Sequence, residues 1–227
     1  MTDKLLDAIE LETGPDPGRS VIWMHGLGAD GNDFVPIVRE LDLRGLPAIR
    51  FVFPHAPMRP VTINNGYVMR AWYDVTYGDL EGRSKRPDEA GVRESERSIA
   101  ALIARETARG VKAERILLAG FSQGGALALQ TGLRYPERIA GMMALSTYLP
   151  LAERVAQEAH ASNARTPIFM AHGTEDPVIP LAMGMASRDI LERMGHEVEW
   201  HEYLMPHSVC MEEIRDISGW MRRALAP

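Results

Sequence analysis

One cysteine, Cys210, stands in a chain of 227 residues. An internal disulfide is therefore excluded, and a cytoplasmic, reducing compartment is the expected setting. Basic charge is also short: 25 Lys and Arg against 31 Asp and Glu leave a net charge of −6. With no basic stripe, nucleic acid is not an expected partner. No apolar run approaches the roughly 18 to 20 residues that cross a bilayer, so no integral membrane segment is expected. The opening MTDKLLDAIELETG carries Asp3, Asp7 and Glu10 where a secretory signal would be apolar. Repeats, low-complexity tracts and Gly/Ser-rich linkers are missing too. A single domain over residues 1–227, large enough for one sizeable core, is the simplest organisation.

What is present is an alternation of short apolar runs and amphipathic stretches. Ser20–Met24, Ile49–Phe53, Met69–Tyr73, Arg115–Ala119, Ile139–Leu145, Pro167–Ala171 and Val198–Leu204 read as strands. Most are apolar throughout, as strands covered on both faces must be. Between them, Glu89–Arg109, Gln123–Arg134, Leu181–Met194 and Val209–Ala226 suit helices, with Gly110 and Gly195 as stop signals. The pattern predicts an α/β fold, a mostly parallel, doubly wound sheet with helices on both faces. Ligand chemistry in such a sheet gathers at the carboxyl ends of its strands. Pro54–Gly66 and Asp74–Asp88 are left as long irregular connections.

One strand end stands out. In RILLAGFSQGGALALQ, Ser122 sits among Gly120, Gly124 and Gly125, between a β-like and an α-like run. GFSQG fits G-x-S-x-G, a sharp strand-to-helix turn that exposes a serine hydroxyl. The competing reading is a glycine-rich turn whose serine only caps the helix. A serine nucleophile needs a base within hydrogen-bond reach and a third group to hold that base, in the chain order Ser, Asp or Glu, His.

That order is met. After TPIFMAHG comes TEDPVIP, offering Asp176, which begins the turn through Pro177; Glu175 beside it is the alternative. After VEWHEYL comes MPHSV, placing His207 in a loop before the last helix. His55 and His172 fall in the wrong order, His201 lies within a strand, and His160 and His196 lie in polar helical or turn settings. For the oxyanion, one donor should be the Gln123 backbone N–H at a helix N-terminus. The second should come from HGLG after the first strand, whose glycines, Gly26 among them, allow close backbone approach; Leu27 N–H is the candidate.

Taken together, HGLGAD, PHAP, TINNG, MRAWYD, AGFSQGG, ALSTYLP, HGTEDPVIP and MPHSV resemble the bacterial carboxylesterase/phospholipase group that is similar to acyl-protein thioesterases. The resemblance runs from about Val21 to Leu225. It implies an α/β-hydrolase without a large cap, a Ser122–Asp176–His207 triad, and Leu27 and Gln123 as oxyanion donors. It also implies that the AWYD stretch, with Trp72, borders an acyl pocket, whereas composition alone makes Trp72 a core aromatic. It suggests a homodimer. Pro206 stands where relatives often have glycine and Ser208 where many have glutamate, which bears on substrate preference and loop mobility rather than on the chemistry. Only about twenty residues separate Leu145 from Pro167, room for one helix such as Leu151–His160 and not for a cap domain.

The expected function is two-step acyl transfer on carboxylic esters of short to medium acyl chain, with no metal or organic cofactor called for. An ester or thioester is the expected small-molecule partner. Rival readings keep the triad but change the substrate, as in an acyl-protein thioesterase, lysophospholipase, peptidase or lactonase, or keep the scaffold as a non-enzymatic binding protein.

Overall fold

The computed structural model describes residues 5–80 and 87–226. In chain order the strands and α-helices are β1 (Ala8–Glu12), β2 (Arg19–Met24), β3 (Ile49–Pro54), β4 (Met58–Val61), β5 (Tyr67–Arg70), α1 (Tyr77–Leu80), α2 (Glu89–Ala108), β6 (Ile116–Phe121), α3 (Gln123–Arg134), β7 (Gly141–Leu145), α4 (Ala152–Glu158), β8 (Ile168–Gly173), α5 (Leu181–Arg193), β9 (Val198–Tyr203) and α6 (Met211–Ala224). Seven strands make one sheet in the order β1-β3-β2-β6-β7-β8-β9. Only β1 runs antiparallel to its neighbour; the remaining pairs are parallel.

Alternation within the strands feeds two apolar layers. Ile22, Met24, Leu118 and Met142 face the side where α2, α3 and α5 contribute Ile99, Leu102, Leu127 and Leu191. Val21, Trp23, Leu117 and Met143 face the other side, against Ile217, Trp220 and Met221 of α6. Because both faces are covered, β2, β7 and β8 are buried at every position. That is why their sequences carry continuous apolar runs, Val21–Met24, Met142–Leu145 and Ile168–Ala171, rather than an alternation. The parallel arrangement brings the carboxyl ends of β2, β6, β7, β8 and β9 to one edge, where the connecting loops lie.

Three differences from the sequence expectations have physical reasons. The AIELE run forms the edge strand β1, whose polar positions face outward, so it lacks the apolar signature of its neighbours. The run expected as a strand over Met69–Tyr73 pairs only as Tyr67–Arg70, with β4, in a separate two-stranded sheet. Ala71, Trp72 and Tyr73 leave that ladder and are buried in the core. The Pro54–Gly66 connection is correspondingly less irregular than expected, since it contains β4. Of Asp74–Asp88, residues 77–80 form α1, and 81–86 lie outside the described residues. Between β7 and β8 there is α4 and a single 3₁₀ turn, and no cap domain.

Buried charge is distributed unevenly. Glu106 on α2 is fully buried yet satisfied: it accepts from Ser20 Oγ at 2.7 Å and pairs with Arg50 at 2.9 Å and Arg109 at 3.1 Å. Glu213 in the first turn of α6 is buried without such company. Neither carboxyl oxygen has a well-formed hydrogen bond among the described residues, although the Cys210 backbone N–H lies near enough to favour the charged form against burial. Burial pushes its carboxyl up to about 8 from an ordinary 4.5. The unfolded chain releases this proton as pH passes 4.5, while the folded chain keeps it until about 8, so stability is lost across that window and stays lost above it. The loss amounts to about 4 to 5 kcal/mol. Glu213→Gln removes the titration. In urea unfolding, the variant should gain several kcal/mol on the parent between pH 5 and pH 8, about the loss just given; parallel curves would refute the buried-acid assignment.

Candidate active site

The turn from β6 into α3 places Ser122 at φ 56° and ψ −123°, a left-handed conformation that a serine adopts only under constraint. Two glycines permit it. A Cβ on Gly120 would lie 2.1 Å from the Gly124 carbonyl carbon, and one on Gly124 would lie 2.1 Å from the Met24 carbonyl oxygen. The turn is pinned by Ser122 N–H donating to the Leu145 carbonyl at 2.9 Å and by Thr147 Oγ1 donating to the Ser122 carbonyl at 2.7 Å. Gln123 is the first residue of α3, where the backbone N–H has no acceptor within the helix.

Asp176 follows β8 and is 9% exposed, while the alternative Glu175 is exposed to solvent. Its Oδ1 accepts backbone N–H groups from Val178 at 2.8 Å and Ile179 at 2.9 Å. Its Oδ2 accepts from His207 Nδ1 at 2.6 Å. Burial opposes the charge, yet the hydrogen bonds from His207, Ile179 and Val178 outweigh it and hold the carboxyl below its ordinary range. A second imidazole, His172, lies behind this carboxylate, 3.5 Å from Oδ2, and bonds the Ile179 carbonyl at 2.9 Å. Burial lowers its pKa, and its contact with Oδ2 is longer than the 2.6 Å bond from His207 Nδ1.

His207 has to cross β8 and β7 to approach β6. The crossing runs over Gly173, where a Cβ would lie 2.3 Å from the Met205 carbonyl oxygen and 2.5 Å from that of Pro206. Thr174 N–H and Glu175 N–H bond the carbonyls of Tyr203 and Met205, which ties the two loops together. The imidazole then packs at 4.6 Å from the Phe121 ring, next to Ser122.

Ser122, Gln123 and His207 line one cavity of about 370 Å³ with Gly26 and Leu27. Neither Ser122 Oγ nor His207 Nε2 has a hydrogen-bond partner among the described residues, so both present free polar atoms to that space. Its remaining walls are largely apolar: Val75, Leu80, Phe121, Tyr148, Val178 and Ile179. Asp33 stands at its edge, and burial raises its carboxyl pKa. Gly26, in the loop after β2, is packed closely enough that a Cβ would meet Phe121 at 3.3 Å.

Trp72 is not a wall of this cavity. It is fully buried, with its indole N–H donating to the His25 carbonyl at 2.8 Å, so the pocket role implied by the resemblance is corrected to a core role. An amphipathic ring is buried at little cost when its N–H finds such an acceptor. Sequence reasoning also missed the side chain of Gln123. Its Oε1 accepts Trp72 N–H at 3.1 Å and its Nε2 donates to the Tyr73 carbonyl at 2.9 Å, which braces the turn against the preceding loop. Tyr148 was missed as well; its hydroxyl pairs with that of Tyr73 at 3.0 Å. Its position three residues past the end of β7, in the loop at the carboxyl edge of the sheet, was the available signal.

The Phospholipase/Carboxylesterase family model matches residues 9–225. Acyl-protein thioesterase 1 of Neurospora crassa is 40% identical over 212 residues, covering 91% of this chain and 86% of that protein. Carboxylesterase SOBER1 of Arabidopsis thaliana is 35% identical over 207 residues, covering 90% of each. Its crystal structure superposes with a TM-score of 0.83 over 91% of this chain and 99% of its own. Acyl-protein thioesterase 2 of Zea mays superposes with a TM-score of 0.82 at 27% identity, over 97% and 100%. These relatives are fungal and plant proteins, so the bacterial character expected from the motifs has no support. The fold is that of the α/β-hydrolases, and the chain belongs to the Phospholipase/Carboxylesterase family.

Proposed function

We propose that this protein is a serine hydrolase that cleaves carboxylic esters and thioesters of short to medium acyl chains through an acyl-enzyme. The observation that carries this reading is the 2.6 Å Asp176–His207 bond at the wall of the apolar cavity onto which Ser122 opens. His207 Nε2 takes the Ser122 proton as the oxygen attacks the carbonyl carbon. Asp176 holds the imidazole with Nδ1 protonated and stabilises the imidazolium that forms. The N–H groups of Leu27 and Gln123 receive the developing oxyanion. His207 returns the proton to the leaving alcohol or thiol, and water then repeats the sequence on the acyl group. In the unliganded site the hydroxyl and imidazole need not be bonded, since such contacts tighten in the Michaelis complex.

The apolar walls favour the acyl chain as the recognised portion. Burial of one further methylene is worth about 0.8 kcal/mol, or about fourfold in kcat/KM, until the chain fills the space. A p-nitrophenyl ester series from acetyl upward should therefore climb by up to about that factor per methylene and then level off. A matched acyl thioester and a lysophospholipid in the same panel identify the leaving group preferred. A panel without hydrolysis of any ester or thioester would defeat the reading. The names of the relatives favour acyl-protein thioesters as a second substrate class. A cytoplasmic setting suits the lone thiol of Cys210.

A further inference from the structure

His25 precedes the oxyanion loop and is 1% exposed, with its ring facing no part of the cavity. Its hydrogen bonds define its tautomer. Ala56 N–H points at Nε2 at 3.1 Å, and a backbone N–H can only donate, so Nε2 carries the lone pair. Nδ1 must then carry the proton, and it lies 2.7 Å from the Gly26 carbonyl oxygen. Burial presses the imidazole pKa down to about 4, against the Gly26 hydrogen bond, so this neutral form persists at working pH.

The Gly26 carbonyl and the Leu27 N–H belong to one planar trans peptide group, in which C=O and N–H point in opposite directions. A donor that pins the carbonyl on one side thereby aims the N–H on the other. Ala29 N–H bonds the same carbonyl at 3.3 Å, closing the turn. Leu27 N–H has no acceptor among the described residues, and Leu27 lines the cavity. The residue is fixed from outside as well: the Trp72 indole N–H holds the His25 carbonyl at 2.8 Å, and Ser95 Oγ donates to the Trp72 carbonyl.

We propose that His25 is a positioning residue for acyl transfer: its Nδ1–H holds the Gly26 carbonyl so that the Leu27 N–H is preset toward the oxyanion. The inference rests on the serine-hydrolase reading above. It assigns His25 no contact with substrate.

The test compares His25→Ala, which removes the donor, with His25→Asn, whose side-chain amide can place an N–H near the position of Nδ1. Active sites are first counted with a fluorophosphonate, and kcat per labelled site, KM for p-nitrophenyl butyrate and Ki for a trifluoromethyl ketone are then measured. Loss of a preset oxyanion donor costs up to about 10²- to 10³-fold in kcat, and His25→Ala should lose about 10- to 100-fold, since the N–H remains but is no longer aimed. KM should change little, the ketone should weaken in parallel with kcat, and His25→Asn should recover most of the loss. If His25→Ala is too unstable to study, Trp72→Phe, which frees the His25 carbonyl, should show the same kcat and ketone signature in smaller degree. Unchanged kcat per labelled site would overturn the proposal. So would equal losses in the Ala and Asn variants that follow thermal stability and leave ketone binding intact. Failure of the parent protein to label would instead overturn the serine-hydrolase reading.

Discussion

Ser122→Ala is expected to lower kcat for a p-nitrophenyl ester by about 10⁴- to 10⁶-fold while leaving thermal stability nearly unchanged. The size follows from what is lost. Without the hydroxyl there is no covalent intermediate, and only the oxyanion donors and the cavity remain to assist attack by water. The fold should tolerate the change because the serine oxygen has no hydrogen-bond partner to orphan among the described residues. Alanine also keeps a Cβ in a position that already accommodates one at φ 56°. The backbone bonds to Leu145 and Thr147 that hold the turn do not involve the side chain. Turnover at more than about one hundredth of the parent rate would mean that another group performs the chemistry.

Asp176→Asn should be nearly as severe, about 10³- to 10⁴-fold in kcat, for a different reason. Oδ1 of Asp176 accepts two backbone N–H groups, so the amide oxygen of asparagine must take that place. The amide NH₂ then faces His207 Nδ1 where Oδ2 now accepts at 2.6 Å. A donor in that position requires Nδ1 to be the acceptor, which moves the proton to Nε2 and removes the lone pair that should receive the serine proton. A nearly isosteric change therefore inverts the tautomer without displacing the ring. Asp176→Ala should be distinguishable, since it frees the imidazole to choose its tautomer but leaves two N–H groups unbonded and so costs stability. In the Asn variant, a kcat close to the parent value would indicate that His207 is not the base.

How far the sequence discloses this arrangement depends on whether the signal is local. The central strands were legible because double-sided burial writes itself into every residue, as in the wholly buried β8. The edge strand β1 was not, because AIELE turns Glu10 and Glu12 to solvent and reads like a loop. The turn at Ser122 was legible because its glycines are demanded by contacts within a few residues and one neighbouring strand end. Trp72 was ambiguous by nature. An indole suits a pocket wall or a core equally well, and only the His25 carbonyl decides between them. The cavity walls Val75 and Leu80, Tyr148, and Ile179 come from three separate connections with no common spacing, so no linear pattern could assemble them. The tautomer of His25 depends on Ala56, 31 residues away, and is likewise invisible before folding.

The most direct measurement is the site of covalent modification by a fluorophosphonate, read by peptide mass spectrometry on the intact protein. One adduct is expected, on Ser122, formed quickly in the parent and much more slowly in Asp176→Asn. An adduct on a different residue, or a protein that remains unmodified while still hydrolysing esters, would contradict that expectation.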